Sequence, residues 1–353
     1  MEESTSPKHR PPEPRYVVVV RVNTVCSLSC SFCGYSRDIA FPRSSMEEAT
    51  MVKLIDLLDR LRSESHRDVL MVWIGGEPLQ WSLWQHMGRR MLERNLPLGL
   101  STNGIRLGSE QVRERVLEQV SELTISIDGL QTHHDPLRQQ PGLFERLKMI
   151  VSQIQRSPYR RSVVLRVNTI LTRENIAEFP AFVEEMAMWG FDELTFNPLG
   201  GNERPEFFRD HHLRLEDVQE FSDRFGYVKQ RAAMHGLSVL GSESYLKRIL
   251  DKTCRHPNPI ADCNPGSEFL FVDEAGLASP CSFVERQWTL PIHEIETLTT
   301  LGNRFRERRG QSTFSPCSDC NANHVFEKFN RDCVPATNQS PTFVRLNSIH
   351  SCG

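Results

Sequence analysis

Six short apolar runs recur through the first 200 residues, and each is followed by a stretch in which apolar positions have helical spacing. Continuous apolar runs rich in β-branched residues are typical of strands buried in a parallel sheet. The pattern predicts strands at 16–25, 69–74, 98–101, 123–127, 163–170 and 193–196. It predicts helices at 45–62, 82–94, 109–120, 141–155 and 175–188, with further helical segments to about 250. The first helix opens with a predicted capping box, with Ser45 at the N-cap and Glu48 three residues later.

Strands that alternate with helices predict a parallel α/β sheet. Six strand–helix units are too few for a closed eight-fold barrel, so we expect a partial (β/α)6 TIM-like barrel with an open side. Ligands bind at the carboxyl ends of strands in such folds. The polar or glycine-rich segments after the strands should therefore meet at one mouth: the loop that begins at Cys26, and segments 75–78, 102–104, 126–128 and 197–201.

The alternation stops near residue 250. A hairpin is predicted from 269–272 and 277–280, with the turn at 273–276, and a helix from 294–308. The rest, 309–353, has little periodicity and would need a staple such as a metal cluster. We expect three segments: a flexible tail at 1–15, a barrel at 16–250 and a Cys-rich extension at 251–353. As an alternative, the tail is an arm that docks on a partner.

Composition narrows the class of protein. The 353 residues are 39% hydrophobic and 25% charged with a net charge of −3, which argues against disorder and gives no electrostatic reason to expect a nucleic-acid partner. No apolar run reaches transmembrane length and no secretion signal is present, so we expect a cytoplasmic protein without a membrane partner.

The ten cysteines are segregated: three lie at 26–33, seven lie in the last hundred residues, and none lies at 34–253. Without an export signal, metal or iron–sulfur ligation fits better than disulfides. Cys26, Cys30 and Cys33 form a C-x3-C-x2-C run directly after the first predicted strand. A structural zinc site takes four ligands, whereas three thiolates on a [4Fe–4S] cluster leave one iron open as a reaction site.

These motifs together resemble the radical S-adenosylmethionine (SAM) superfamily. The resemblance covers roughly 16–201 and rests on the cysteine run with Phe32 before its last cysteine, on Gly75-Gly-Glu-Pro78, on "STNG" at 101–104 and on "TISIDG" at 124–129. It implies that SAM binds the open iron and is reductively cleaved to a 5′-deoxyadenosyl radical, which takes a hydrogen atom from the substrate. An electron donor such as flavodoxin or ferredoxin is implied as a partner.

The resemblance also assigns contacts at the methionine end of SAM. Gly75 and Gly76 would let the backbone approach the ammonium group, Glu77 would offer an acceptor and Pro78 would fix the turn. Arg138 would pair with the carboxylate, which suits a fork of donors. As alternatives, the glycine segment would form only a turn, and Arg138 would only take part in a surface ion pair.

At the nucleoside end, the Phe32 backbone and Leu199 resemble adenine contacts of the family. Ser126 and Asp128 would face the ribose, and Asp128 alternatively caps a turn. Asn103 and Asn168 are further candidates. The pairs His133-His134 and His211-His212 are placed in polar loops without partner ligands, so no metal site is expected there.

The later cysteines resemble the auxiliary-cluster domains called SPASM and twitch. Cys263, Cys281, Cys317 and Cys320, with Gly276 between the first two, would ligate a second [4Fe–4S] cluster, with zinc as the alternative. The full SPASM spacing is not met, because Phe326 stands where a cysteine is required. The three remaining cysteines are expected to be ordinary thiols or, alternatively, ligands of a further cluster; they are Cys254, Cys333 and Cys352.

A fully ligated second cluster would accept an electron from a substrate radical, which favours net two-electron oxidation. The arrangement is similar to that of a twitch dehydrogenase acting on an aminocyclitol intermediate. Ser282 stands where sulfatase-maturing relatives have an aspartate, which argues against formylglycine formation.

The short segment before the first strand leaves no room for a leader-binding domain, so we expect a small polar metabolite such as a sugar, cyclitol or nucleoside. The alternatives are a maturase of ribosomally made peptides, a redox-neutral epimerase or lyase, and a non-catalytic metal-binding module. No catalytic acid or base is identified beyond guesses at Asp262 and Glu285. The substrate contacts considered are Asn197, Asn202, Glu203 and Arg204.

Overall fold

The computed structural model describes residues 15–254, 266–284 and 288–310. Several features predicted from the sequence lie outside these residues, namely the N-terminal tail, Asp262, Cys263, Glu285, Cys317, Cys320, Phe326, Cys333 and Cys352. The domain boundary near 250 and the four-cysteine set therefore stay predictions. No helix in the described ranges is long and apolar enough to cross a lipid bilayer.

One mixed sheet organises the described residues. Its strands are β1 Tyr16–Asn23, β2 Val69–Gly75, β3 Leu98–Thr102, β4 Glu122–Ser126, β5 Val164–Leu171, β6 Glu193–Pro198, β7 Ser238–Val239, β8 Phe269–Val272, β9 Leu277–Ser279 and β10 Leu290–Pro291. The order is β10-β9-β8-β1-β2-β3-β4-β5-β6-β7, and β1 to β7 are parallel. The six predicted strands are confirmed in sequential order. Within the described ranges the order has two ends, as expected for a partial barrel.

Helices cover the outside of the parallel strands. They are α1 Glu48–Ser65, α2 Trp84–Glu93, α3 Glu110–Gln119, α4 Gln131–Arg138, α5 Leu143–Gln155, α6 Phe179–Trp189, α7 Pro205–His211, α8 Leu215–Met234, α9 Glu243–Thr253 and α10 Leu301–Gly310. The helix predicted at 294–308 begins later, because Ile292–Glu294 is a 3-10 turn. Cys254 ends α9 and is disulfide-bonded, so it is not an ordinary free thiol.

Three local predictions are wrong. The predicted capping box at Ser45 does not form, because α1 begins at Glu48 and Ser45 instead pairs with Asn23 in an isolated bridge. The loop predicted around His133 and His134 is the helix α4, which contains Pro136, and the loop predicted around His211 and His212 is the end of the helix α7. The proline and the neighbouring polar residues masked the helical spacing, because proline lacks the amide that an interior helical position donates.

The strands bury both faces. Val18, Val20 and Val22 of β1 face the main core with the apolar side of α1, while Val17 and Val19 belong to a second cluster on the other face. That second cluster also holds Leu70, Val72 and Phe271. Burial on both faces explains why the first strand is a continuous valine run rather than an alternating pattern.

The predicted hairpin of β8 and β9 is confirmed, but its position was not predicted. β8 pairs in parallel with β1, residues Val17 to Val20 lying opposite Phe269 to Val272, so the hairpin extends the barrel sheet. Because β8 and β1 are parallel, the turn that follows β8 lies at the same edge as the loop that follows β1. The end of the hairpin is thus brought to the mouth.

Buried charges lie at the opposite, amino-terminal edge of the sheet. Glu122 accepts from Arg15 at 2.6 Å and from Arg166 at 3.1 Å, and Arg166 also pairs with Glu193. Paired charges at this edge of a barrel serve stability, since ligands bind at the other edge. The functional site is therefore sought at the carboxyl ends of the strands.

Candidate active site

The three-cysteine loop follows β1 directly, and every sulfur faces a hydrogen-bond donor. Cys26 Sγ accepts from the amide of Leu28 at 3.5 Å, and Cys33 Sγ accepts from the amide of Tyr35 at 3.4 Å. Arg138 Nη1 lies 3.9 Å from Cys30 Sγ. The three are free thiols. Donors directed at sulfur favour the thiolate form and tune an iron–sulfur centre, so this loop fits a cluster bound by three cysteines.

Burial dominates the acidity of these thiols. It raises the pKa of Cys26 and of Cys30, and it raises the pKa of Cys33 to about 12. The charge of Cys30 adds to the rise at both other cysteines, which shows that the three are close together. Since metal ligands are thiolates, metal loading must release protons from this loop.

Arg43, which was not singled out from the sequence, fastens the cysteine loop. Its Nη1 donates to the carbonyls of Thr24 at 2.7 Å and Tyr35 at 3.0 Å. Its Nη2 donates to the carbonyls of Ser36 at 2.7 Å and Ile39 at 2.9 Å. Four carbonyls held by one planar cation fix both ends of the segment that carries the thiols. Only tertiary contacts reveal this role, because a lone arginine has no motif.

A second arginine joins the cysteine loop to the hairpin. Arg21 donates to the Tyr35 hydroxyl at 2.9 Å and to Glu274 at 2.5 Å, and the other Glu274 oxygen accepts from Ser44 at 2.8 Å. Arg21 is only 9% exposed. The turn of the β8–β9 hairpin is therefore locked to the loop that holds the thiols.

The two glycines of the Gly-Gly-Glu-Pro segment are required by the chain itself. Gly75 has φ 154°, and a Cβ there would lie 2.3 Å from the carbonyl oxygen of Asn23. A Cβ at Gly76 would lie 2.3 Å from the carbonyl oxygen of Val25. The end of β2 thus passes directly against the start of the cysteine loop, and only glycine permits that approach.

Glu77 lies fully buried between the ends of β2 and β3. Its Oε1 accepts from Thr102 Oγ1 at 2.7 Å and from the amide of Leu79 at 3.1 Å, and its Oε2 accepts from the amide of Asn103 at 2.8 Å. Burial raises the pKa of Glu77, although these three hydrogen bonds act to lower it. Asn103 in turn places its side-chain amide 3.9 Å from Cys26 Sγ. Glu77 therefore sets the position of a donor to the thiol loop.

Asp128 and Arg138 form a buried ion pair. Arg138 Nε donates to Asp128 Oδ2 at 2.6 Å, and Asp128 Oδ1 accepts from the amide of Ile170 at 2.8 Å. Burial is the largest single influence and acts to lower the pKa of Arg138, but the Asp128 carboxylate together with Cys30 and Cys33 outweighs it, and the pKa is raised. The Arg138 guanidinium also lies 5.4 Å from the Phe32 ring centre. The sequence-derived candidates Phe32, Asp128 and Arg138 are brought together with Cys30.

Other candidates line the same edge of the sheet. Ser126 ends β4 and is partly exposed, whereas Pro78 and Leu199 are buried. Asn168 Oδ1 accepts from Asn197 Nδ2 at 3.1 Å and from Thr195 Oγ1 at 2.9 Å, which makes a polar patch at β5 and β6.

Glu203, in the segment after β6, reaches the thiol loop. Its Oε2 accepts from the amide of Gly34 at 2.7 Å. Arg204 pairs with Glu206 at 2.5 Å, and Asn202 is exposed. Of these three described residues, Glu203 is the one that binds the cysteine loop.

Each histidine of the two pairs has a hydrogen-bond partner outside the cysteine loop. His134 Nδ1 accepts from the amide of Asp128 at 3.0 Å, while His133 Nδ1 lies 3.0 Å from Glu178. His211 Nδ1 lies 2.8 Å from Glu174, and His212 Nδ1 lies 3.0 Å from the Phe208 carbonyl. His134 thus belongs to the Asp128 and Arg138 cluster, a role that the sequence pattern did not indicate.

Comparison with known proteins agrees with this geometry. Residues 20–186 match the family model of the radical SAM superfamily. An AdoMet-dependent heme synthase of Methanosarcina barkeri is 24% identical over 271 residues, which are 73% of this chain and 74% of that protein. A serine-type anaerobic sulfatase-maturating enzyme of Bacteroides thetaiotaomicron is 31% identical over 136 residues, which are 36% of this chain and 32% of that protein.

Solved structures share the fold at low identity. SuiB of Streptococcus suis bound to S-adenosylmethionine has a TM-score of 0.63 at 13% identity, covering 87% of this chain and 72% of that chain. Native anSMEcpe with bound AdoMet has a TM-score of 0.61 at 17% identity, covering 91% of this chain and 90% of that chain. With the family match, the partial-barrel fold and the three-thiol loop, residues 20–186 form a radical SAM domain, and domains of this superfamily use a [4Fe–4S] cluster and SAM.

Proposed function

We propose that this radical SAM enzyme holds its catalytic [4Fe–4S] cluster on Cys26, Cys30 and Cys33 and binds SAM at the remaining iron, beside Arg138. The observation that supports this most directly is the set of donors around the three sulfurs: two backbone amides and the side chains of Asn103 and Arg138. When bound, the cofactors supply a 5′-deoxyadenosyl radical that removes a hydrogen atom from the substrate. The chain itself fixes the loop, orients SAM and supplies positive charge.

We further propose that the reaction is a two-electron oxidation. The substrate would lose a hydrogen atom to the nucleoside carbon, a proton to a base or solvent, and an electron to an auxiliary [4Fe–4S] cluster on Cys263, Cys281, Cys317 and Cys320. Of these ligands Cys281 lies in the described residues, where it follows β9. β9 runs antiparallel to β8 and leads away from the turn that contacts Ser44. A cluster there would be separate from the SAM site, as an electron acceptor requires.

We propose a small polar metabolite as the substrate. Supporting this, β5 and β6 carry the side-chain amides of Asn168 and Asn197, which are partly exposed and joined by a hydrogen bond of 3.1 Å. Glu203, on the loop beyond β6, adds an acidic group near the cysteine loop. Amide and carboxylate groups in this arrangement can bind the hydroxyls of a sugar, cyclitol or nucleoside.

A peptide substrate is the second candidate, favoured by the relatives. SuiB bound to the precursor peptide SuiA has a TM-score of 0.60 to this chain, and anSMEcpe with AdoMet and the Kp18Cys peptide has a TM-score of 0.61. Both proteins are 14–15% identical to this chain, so they share its fold. The two candidates make different products and are separable by experiment.

The first experiment tests the cofactors. Anaerobic reconstitution should give about eight irons per chain, and reductant with SAM should give 5′-deoxyadenosine. Cys26→Ala should lower the iron to about four and abolish 5′-deoxyadenosine, because the loop cannot hold a cluster with two ligands. The matched control is Ser27→Ala, an exposed neighbour on the same loop. Full iron and cleavage in Cys26→Ala would contradict the assignment of the loop.

The second experiment tests the oxidation and the substrate. Cys281→Ala should also lower the iron to about four, while SAM cleavage without substrate persists. Mixtures of polyols, aminocyclitols and nucleosides are then compared with synthetic peptides, and mass spectrometry follows loss of a hydrogen pair. A peptide product alone would replace the metabolite proposal. A product of unchanged mass would contradict the oxidation and favour an epimerase.

A further inference from the structure

We propose that Asp128 does not bind the nucleoside but is a positioning residue, which together with His134 and Asn175 fixes the guanidinium of Arg138 for the carboxylate of SAM. This inference rests on the proposed SAM site. It gives a role to His134, and it changes the role that the resemblance implied for Asp128. It is carried by the hydrogen bonds of a fully buried cluster.

Every polar group of Asp128 is already engaged. Its Oδ1 accepts from the amide of Ile170 at 2.8 Å and its Oδ2 from Arg138 Nε at 2.6 Å. Its own amide donates to His134 Nδ1 at 3.0 Å, and its carbonyl accepts from Asn175 Nδ2 at 3.4 Å. The residue is 0% exposed. A carboxylate so enclosed offers no surface to a ribose hydroxyl, whereas it holds an adjacent cation rigidly.

Arg138 keeps donors for a ligand after this pairing. A guanidinium has five N–H groups, and Asp128 takes the one on Nε. The Nη1 group lies 3.9 Å from Cys30 Sγ, and the cation lies over the Phe32 ring at 5.4 Å. Because Asp128 fixes Nε, Nη1 is set beside the cysteine loop, and Nη1 with Nη2 forms the remaining donor edge of the guanidinium. That edge suits bidentate binding of a carboxylate.

His134 fixes Asp128 without competing for its charge. It lies on α4 four residues before Arg138, so both side chains are on one face of the helix. Since its Nδ1 accepts the Asp128 amide, the proton of the neutral ring is on Nε2. Burial and the charge of Arg138 both lower the pKa of His134. A neutral ring leaves the Asp128 carboxylate to Arg138 alone.

Equilibrium binding to the reconstituted, unreduced protein tests this, with SAM and decarboxylated SAM as ligands. Asp128→Asn should weaken SAM binding about tenfold or more, the equivalent of about 1.4 kcal/mol, and leave decarboxylated SAM nearly unchanged. In the double variant Asp128→Asn/Arg138→Lys, SAM binding should be little weaker than in Arg138→Lys alone, because the two changes remove the same interaction. Equal weakening of both ligands, or additive effects, would show a direct nucleoside contact and overturn the inference.

Variants at His134 keep the test decisive if Asp128→Asn does not fold. His134→Phe leaves the Asp128 amide without an acceptor and should weaken SAM binding several-fold, again with decarboxylated SAM nearly unchanged, while His134→Asn, whose Oδ1 takes the place of Nδ1, should restore most of the affinity. His133→Phe is the matched control on the same helix and should bind SAM normally. Wild-type protein that fails to bind SAM would overturn the proposed function as well as this inference. Normal SAM binding in His134→Phe would overturn the inference alone.

Discussion

Replacing Glu77 by glutamine should destabilise the protein and loosen the thiol loop. The carboxylate is buried and accepts from three donors, the Thr102 hydroxyl and the amides of Leu79 and Asn103. Glutamine keeps the size of the side chain but replaces one acceptor oxygen by a donor. At least one of the three donors then faces another donor at a fully buried position.

The size of the effect follows from these contacts. A hydrogen bond to a charged group contributes about 1.5–3 kcal/mol, and an unsatisfied buried donor costs about 1–3 kcal/mol. Burial raises the pKa of Glu77, so removal of the charge recovers part of this cost. We expect a net loss of about 2–3 kcal/mol. For a chain of 353 residues, whose unfolding entropy is about 2.1 cal/mol/K per residue, that corresponds to a fall in Tm of roughly 3–4 °C.

The assay is thermal unfolding of the reconstituted protein by circular dichroism, with iron retention measured in parallel. Iron retention should fall because Asn103, held by Glu77, donates to Cys26. The matched control is Glu64→Gln, an exposed position near the end of α1, which should change stability by less than about 0.5 kcal/mol. A fall in Tm no larger than that of Glu64→Gln would refute the reasoning.

Three further predictions concern the same site. Gly76→Ala should abolish cluster loading, because its Cβ would lie 2.3 Å from the Val25 carbonyl oxygen, and normal iron content would contradict this. Arg43→Lys should lose iron faster in the presence of a chelator, because a lysine cannot serve all four carbonyls, while wild-type retention would show that the loop holds itself. The pKa of His134 is lowered from 6.5 by burial, so the unfolded state binds the additional proton and stability should fall as pH drops below about 6.5, by up to about 1.4 kcal/mol per pH unit. His134→Gln should flatten this dependence in denaturant titrations, and an unchanged slope would assign it to other groups.

The strands were predictable because burial on both faces leaves continuous apolar runs, as in β1, and because neighbouring units are consecutive in sequence. β7 was missed, since a strand of two residues has no readable period. The helix α4 was missed because Pro136 and a histidine pair resemble a loop. The parallel pairing of β8 with β1 joins residues about 250 positions apart, which no local pattern encodes.

The sequence alone determined the chemistry of the site, because thiol spacing after a strand and the glycine segment are local features that chain connectivity fixes. Only the tertiary structure decided how individual side chains are used. It enclosed Glu77 and Asp128 in hydrogen bonds, placed His134 behind Arg138, and gave Arg43 the task of holding the loop. The physical reason is that residue type sets what a group can bind, whereas burial and the neighbours brought by folding set what it does bind.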